Sequence, residues 1–147
     1  AGINISGSQG GRTEESKMPG LVKQYVGVGE GKVADHDMRN RLPQYEMNTH
    51  VQAITQRRAI AELQSRAPGF TSSAIKLTNA LNIQDGDELL VAAMGHQGLR
   101  WDTAGGATEK EVSDIKKWLY QKSLTIAGGT KEVQLNIIAK RVLGLPD

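Results

Sequence analysis

Gly128-Gly129-Thr130 is the stretch of this chain best suited to hold an anion. A helix opening at Thr130 points unpaired amides outward, its macrodipole favours negative charge, and the glycines let a phosphate approach the backbone. The same residues also read as a plain capped helix after a tight turn, which needs no ligand. Gly27-Val28-Gly29-Glu30-Gly31-Lys32 has the glycines and lysine of a phosphate loop without its spacing. Val33 stands where Ser or Thr would hold magnesium, so a flexible linker too glycine-dense for a regular element is expected. Ser73-Ala74-Ile75-Lys76 fits the Ser-x-x-Lys pattern of penicillin-binding enzymes, but the companion Ser-Asp-Asn and Lys-Thr-Gly signatures do not occur. An exposed helix face is the simpler reading. His36, His50 and His96 lie far apart and none has the i, i+4 spacing of a zinc site, so no metal ligands are assigned. Asp85, Asp87 and Glu88 lack the later ligands of a calcium loop and read as a solvated acidic turn.

The elements that would position these residues are helical. The 147-residue chain carries a formal charge of +2, with acids and bases interspersed throughout. It lacks the basic face or arm on which nucleic-acid affinity depends. Its lack of cysteine excludes disulfides, thiolate metal sites and cysteine nucleophiles. No apolar run reaches membrane-spanning length and the first residues do not form a signal peptide, so a soluble cytoplasmic protein is expected.

Residues 1–20, rich in Gly and Ser, are expected to be flexible, and residues 21–147 to form one domain. A helical turn or two is expected around Leu21 and Tyr25. A long helix capped by Asp35 or Asp37 should run towards Arg66, with Met47, Val51 and Ile54 on one apolar face and Ile60 and Leu63 extending it. Pro43 should kink that helix or mark its start. A second helix from Thr71 carries Ala74, Leu77 and Leu81, with Asp85-Gly86-Asp87 an interruption. Residues 95–106 read as a loop containing Trp101. A third helix, residues 108–122, has Thr108 and Glu111 at capping-box spacing and Val112, Ile115 and Leu119 as its apolar stripe. Leu124-Thr125-Ile126-Ala127 looks extended. The last helix should bury Val133, Ile137, Ile138 and Val142 and stop at Gly144. The class is all-α, a short helical bundle.

The run Leu124-Thr125-Ile126-Ala127-Gly128-Gly129-Thr130-Lys131-Glu132-Val133-Gln134 resembles the signature near the C-terminus of flavin-dependent acyl-CoA dehydrogenases. Residues 136–146 resemble that family's closing helix. Upstream and in the same order, Ser73-Ala74-Ile75-Lys76-Leu77 is similar to a Ser-Ile-Ala-Lys-Leu stretch. Gly95-His96-Gln97-Gly98-Leu99 falls where a Gly-Gly-x-Gly or Gly-Pro-x-Gly loop is usual, and residues 37–42 resemble the start of a helix before them. The likeness spans about residues 20–147.

The resemblance implies a C-terminal four-helix bundle entered after its first helix, belonging to a protein with further N-terminal helical and middle β domains. A bundle short of one helix exposes an apolar groove. It implies α,β-dehydrogenation of acyl-CoA thioesters with FAD as hydride acceptor. Thr130, Lys131, Glu132 and Arg41 would meet FAD, and Gly129 the acyl-CoA. In many members a glutamate base precedes the Gly-Thr pair; here Gly128 holds that position, so no catalytic residue is assigned. Ala92 and His96 replace a Gln and a Gly of the adenine-side loop, and the arginine before a Phe-Gly pair has no counterpart in residues 20–35. The expected partners are the missing domains or partner subunits, in a homo- or hetero-oligomer, with the isolated chain inactive. A non-catalytic helical subunit that assembles with an active partner is the alternative.

Overall fold

The computed structural model describes residues 17–66 and 70–146, so the Ser and Gly of residues 1–16, expected to be flexible, lie outside the described residues. The first helix, α1 (Met18–Val26), begins inside the stretch expected to be flexible, with Pro19 in its first turn where no N–H is needed. Gly27, at φ 84, ends it.

The glycine-dense segment that follows is a small hairpin, not a linker. Val28 pairs with Val33 and Gly29 with Lys32 across β1 (Val28–Gly29) and β2 (Lys32–Val33). Glu30 and Gly31 both have positive φ, 51° and 75°, which a two-residue hairpin turn requires. The glycines that argued against regular structure are what permit the turn. Arg39 then donates from Nη1 to the carbonyls of Val33 and Ala34, at 2.9 and 3.2 Å, fastening the hairpin to the next helix.

That helix, α2 (His36–Gln64), is capped by Asp35, whose carboxylate accepts from the Met38 amide at 2.8 Å. Pro43 lies inside it and does not mark its start. Helix α3 (Phe70–Met94) is uninterrupted through Asp85-Gly86-Asp87, contrary to expectation. Gly86 breaks nothing because its bare backbone receives the Tyr45 ring of α2. The acidic residues beside it are not a solvated turn either. Asp87 is buried and pairs with Lys117 at 3.6 Å, and Glu88 pairs with Lys122. These pairs join α3 to α4 (Glu109–Gln121) and to the residue just after it, and α4 starts with the expected capping box between Thr108 and Glu111.

Between α3 and α4 the chain forms a 3₁₀ turn (Gly95–Leu99) and a loop. A β-carbon on buried Gly98 would lie 2.9 Å from the Val91 carbonyl, so that glycine is needed for close packing. After α4 the expected extended segment is instead a 3₁₀ turn (Lys122–Thr125). Its geometry is fixed by side-chain hydrogen bonds: Ser123 donates to the Tyr120 carbonyl at 2.8 Å and Thr125 to the Lys122 carbonyl at 3.1 Å. The last helix, α5 (Lys131–Ile137), continues into a wider π-type turn (Ile138–Val142), and Gly144 at φ 65 closes it.

The core lies where α1, the first half of α2, the second half of α3 and α4 converge. Val22, Met38, Leu42, Leu89 and Ala93 form one cluster with Val33; Leu90, Met94 and Ile115 form a second, and Met18 and Tyr25 touch both. Complete burial of Val22 and Leu89 stabilises the fold by about 1.5–3 kcal/mol each.

Away from this core the apolar stripes of α2 and α3 face outward. Met47 is 55 %, Val51 60 % and Ile54 51 % exposed, and Ile60, Leu63 and Leu81 are exposed too. The seam between α2 and α3 at this level is polar: Thr78 donates to Gln52 at 2.8 Å and Asn82 to Thr49 at 3.3 Å. On α4 Leu119 is exposed, while Val112 and Ile115 are buried as expected. On α5 Val133 is exposed and the buried residue is Gln134.

Candidate functional site

The Gly128-Gly129 turn joins α4 to α5, and its main chain is held by its own backbone bonds together with side chains of α3 and α5. The amides of Ile126 and Ala127 donate to the Ser123 carbonyl at 2.9 and 2.8 Å, and the Gly129 amide to the Ile126 carbonyl at 3.1 Å. Gly128 and Gly129 then take φ of 71° and 103°, the left-handed region open chiefly to glycine. Gln134 donates from Nε2 to the Gly128 carbonyl at 2.9 Å. Lys76, on α3, donates its ammonium to the Gly129 carbonyl. Two turns along α3, Gln84 donates to the carbonyls of Gln121 and Lys122 at 2.9 and 3.2 Å. A turn outside any sheet has no ladder to satisfy its carbonyls, and α3 supplies the donors instead.

Thr130 caps α5, its hydroxyl accepting from the Val133 amide at 3.5 Å. Glu132, exposed in the first turn, is held below the usual carboxylate range by its own amide and by the Thr130 hydroxyl. An ionised carboxylate there complements the macrodipole. Thr130, Lys131 and Glu132 thus present a hydroxyl, an ammonium and a carboxylate side by side at one helix start. A β-carbon on Gly129 would lie 2.8 Å from Gln134 Nε2, so a side chain there would displace the Gln134 amide. At Gly128 the nearest atom to such a carbon is Lys76 Cε, at 3.7 Å. An aliphatic stem ending in a cation therefore flanks the position where the resemblance would place a carboxylate base.

Arg41 is placed apart from this group. It pairs with Asp37 at 3.3 Å and lines a cleft of about 400 Å³ between α2 and α3, together with Gln44, Tyr45, Asp85 and Glu88. None of residues 129–132 lines that cleft. Glu88 at its edge is held below the usual carboxylate range by the Lys122 ammonium. Ala92 and His96 are exposed.

Residues 129–132 are therefore together and Arg41 stands elsewhere. Lys76, Gln84 and Gln134 went unread as supports of the turn. Lys76, expected on an exposed helix face, instead reaches Gly129, fifty-three positions on. The side chain of Ser73, its partner in the Ser-x-x-Lys pattern, lies outside the described residues. Among the described residues no group of three or more His, Cys, Asp or Glu could hold a metal ion. None of the described helices is long and apolar enough to cross a membrane.

Comparison with protein families matches residues 21–143 to acyl-CoA dehydrogenase, C-terminal domain. The chain belongs to the acyl-CoA dehydrogenase family, and the matched stretch is that family's C-terminal domain. No curated protein and no solved structure matches it.

Proposed function

We propose that residues 21–147 form the domain of a cytoplasmic, flavin-dependent acyl-CoA dehydrogenase that supplies one wall of the FAD site and part of the assembly surface, and is inactive alone. The family match over residues 21–143 carries this reading. Thr130, Lys131 and Glu132 meet FAD, Gly129 meets the acyl-CoA, and Arg41 makes a separate flavin contact from its own cleft. The exposed Lys131 ammonium suits such a ligand, while the Thr130 hydroxyl and the Glu132 amide serve the Glu132 carboxylate beside it. FAD, when bound, supplies the hydride acceptor. Proton removal at the α carbon falls to a residue other than Gly128, which has no side chain to perform it. The exposed face of Met47, Val51 and Ile54 receives the remaining domains or a partner subunit, since a patch of this kind marks an interaction surface.

A second reading, a non-catalytic helical subunit assembled with an active partner, is favoured by one observation. Lys76 lies against Gly128, so the position of the base holds no carboxylate and has a cation beside it. The test of flavin contact is to follow the chain's amide resonances while FAD is added. Shifts at residues 129–132 are expected; shifts elsewhere only, or none, would remove the assignment.

A further inference from the structure

The connection between α4 and α5 contains two successive left-handed glycines, a soft stretch of backbone of the kind also found at Gly105 and Gly106. Something outside it must therefore fix its course. Four carbonyls along it accept from side chains: Gln84 holds those of Gln121 and Lys122, Gln134 that of Gly128, and Lys76 that of Gly129. Gln134 is local, but Lys76 belongs to α3, the helix that also packs on α1, α2 and α4. Lys76 thus ties the turn to the rigid part of the domain.

We propose that Lys76 is a positioning residue, whose ammonium sets the Gly129–Thr130 peptide plane and so the placing of Thr130, Lys131 and Glu132 against flavin. This rests on the reading of residues 130–132 as flavin contacts. A hydrogen bond to the Gly129 oxygen also polarises the same peptide, making the Thr130 N–H a stronger donor. The stem of Lys76, 3.7 Å from where a Gly128 β-carbon would be, covers the other side of the turn. A charged donor makes this a stronger tie than the neutral amides of Gln84 and Gln134 provide.

The experiment compares the whole chain with its Lys76→Met and Lys76→Arg variants, by amide hydrogen exchange and by titration with FAD. The amides of Gly129, Val133 and Gln134, each bonded within the turn or the cap, should exchange about tenfold faster or more in Lys76→Met. Exchange at Leu89 should be unchanged, and Lys76→Arg should restore most of the protection. Where the wild-type chain binds FAD, Lys76→Met should weaken it by a similar factor without lowering the melting temperature. Faster exchange at the turn in a wild-type background that ignores FAD would uphold the positioning role and remove the flavin reading. Unchanged exchange at the turn, or equal loss of protection at Leu89, would overturn the proposal.

Discussion

Tyr45 of α2 packs its ring directly onto the backbone of α3 at Gly86, so closely that a β-carbon there would lie 2.9 Å from both Cε2 and the phenol oxygen. Two effects oppose each other on replacing this glycine. Alanine in a helix interior gains up to about 1 kcal/mol over glycine. Overpacking a closed contact costs about 1–3 kcal/mol. Packing wins, and Gly86→Ala should lower stability in denaturant unfolding. In a Tyr45→Ala background the clash is gone and the sign should reverse. Destabilisation of equal size in both backgrounds would mean that the ring is not the obstacle.

The two turn glycines should respond unequally. Gly128→Ala meets the left-handed backbone, at φ 71, and no more than an ordinary contact with Lys76 Cε at 3.7 Å, and should cost about 1–2 kcal/mol. Gly129→Ala meets φ 103 and Gln134 Nε2 at 2.8 Å, so it should cost more and break the bond from Gln134 to the Gly128 carbonyl. Thermal melts of the pair, with Gln134→Ala as reference, check the order. Equal losses would show that Gln134 yields freely.

How much of this was legible in the sequence followed the range of each interaction. Thr108 with Glu111, Thr130 with Val133 and Asp35 with Met38 are contacts across three positions, and each cap is where the residue types place it. Gly86 was misread because its partner is on another helix. Residues 124–127 look extended by residue type, yet Ser123 and Thr125 bond the nearby backbone and fold the segment into a turn. The stripe of Met47, Val51 and Ile54 was read correctly as apolar, but periodicity says which residues want cover, not whether cover is present. Lys76 lay in a recognised stretch, yet its contact with Gly129 is long-range and carries no local pattern.

Stability should fall in acid. Glu62, Glu88, Glu111 and Glu132 are each held below their ordinary value of 4.5, by Thr71, by Lys122, by the Thr108 amide and by the Glu132 amide respectively. A depressed folded value contributes stability that is present above the unfolded value and lost as pH falls through the folded one. Asp87 runs the other way: burial raises it above 3.8, so its protonation favours the folded state. Four groups against one decide the sign. The melting temperature should drop as pH falls below 4.5, and a rise there would contradict the assignment.

The outward face of α2 should matter for association and hardly for folding. Replacing Val51 and Ile54, both more than half exposed, by Ser should change the stability of the isolated chain by no more than about 0.5 kcal/mol per site. Sedimentation velocity should show any self-association of the chain reduced. A large loss of stability with unchanged association would mean that the stripe belongs to the core.

The central claim is that this acyl-CoA dehydrogenase domain contributes to a flavin site which it does not complete. The most direct test is anaerobic mixing of the purified chain with FAD and saturated acyl-CoAs of varied chain length, following flavin absorbance. The expected result is no flavin reduction with any of them, because Gly128 provides no base. Reduction of flavin by this polypeptide alone would contradict the account.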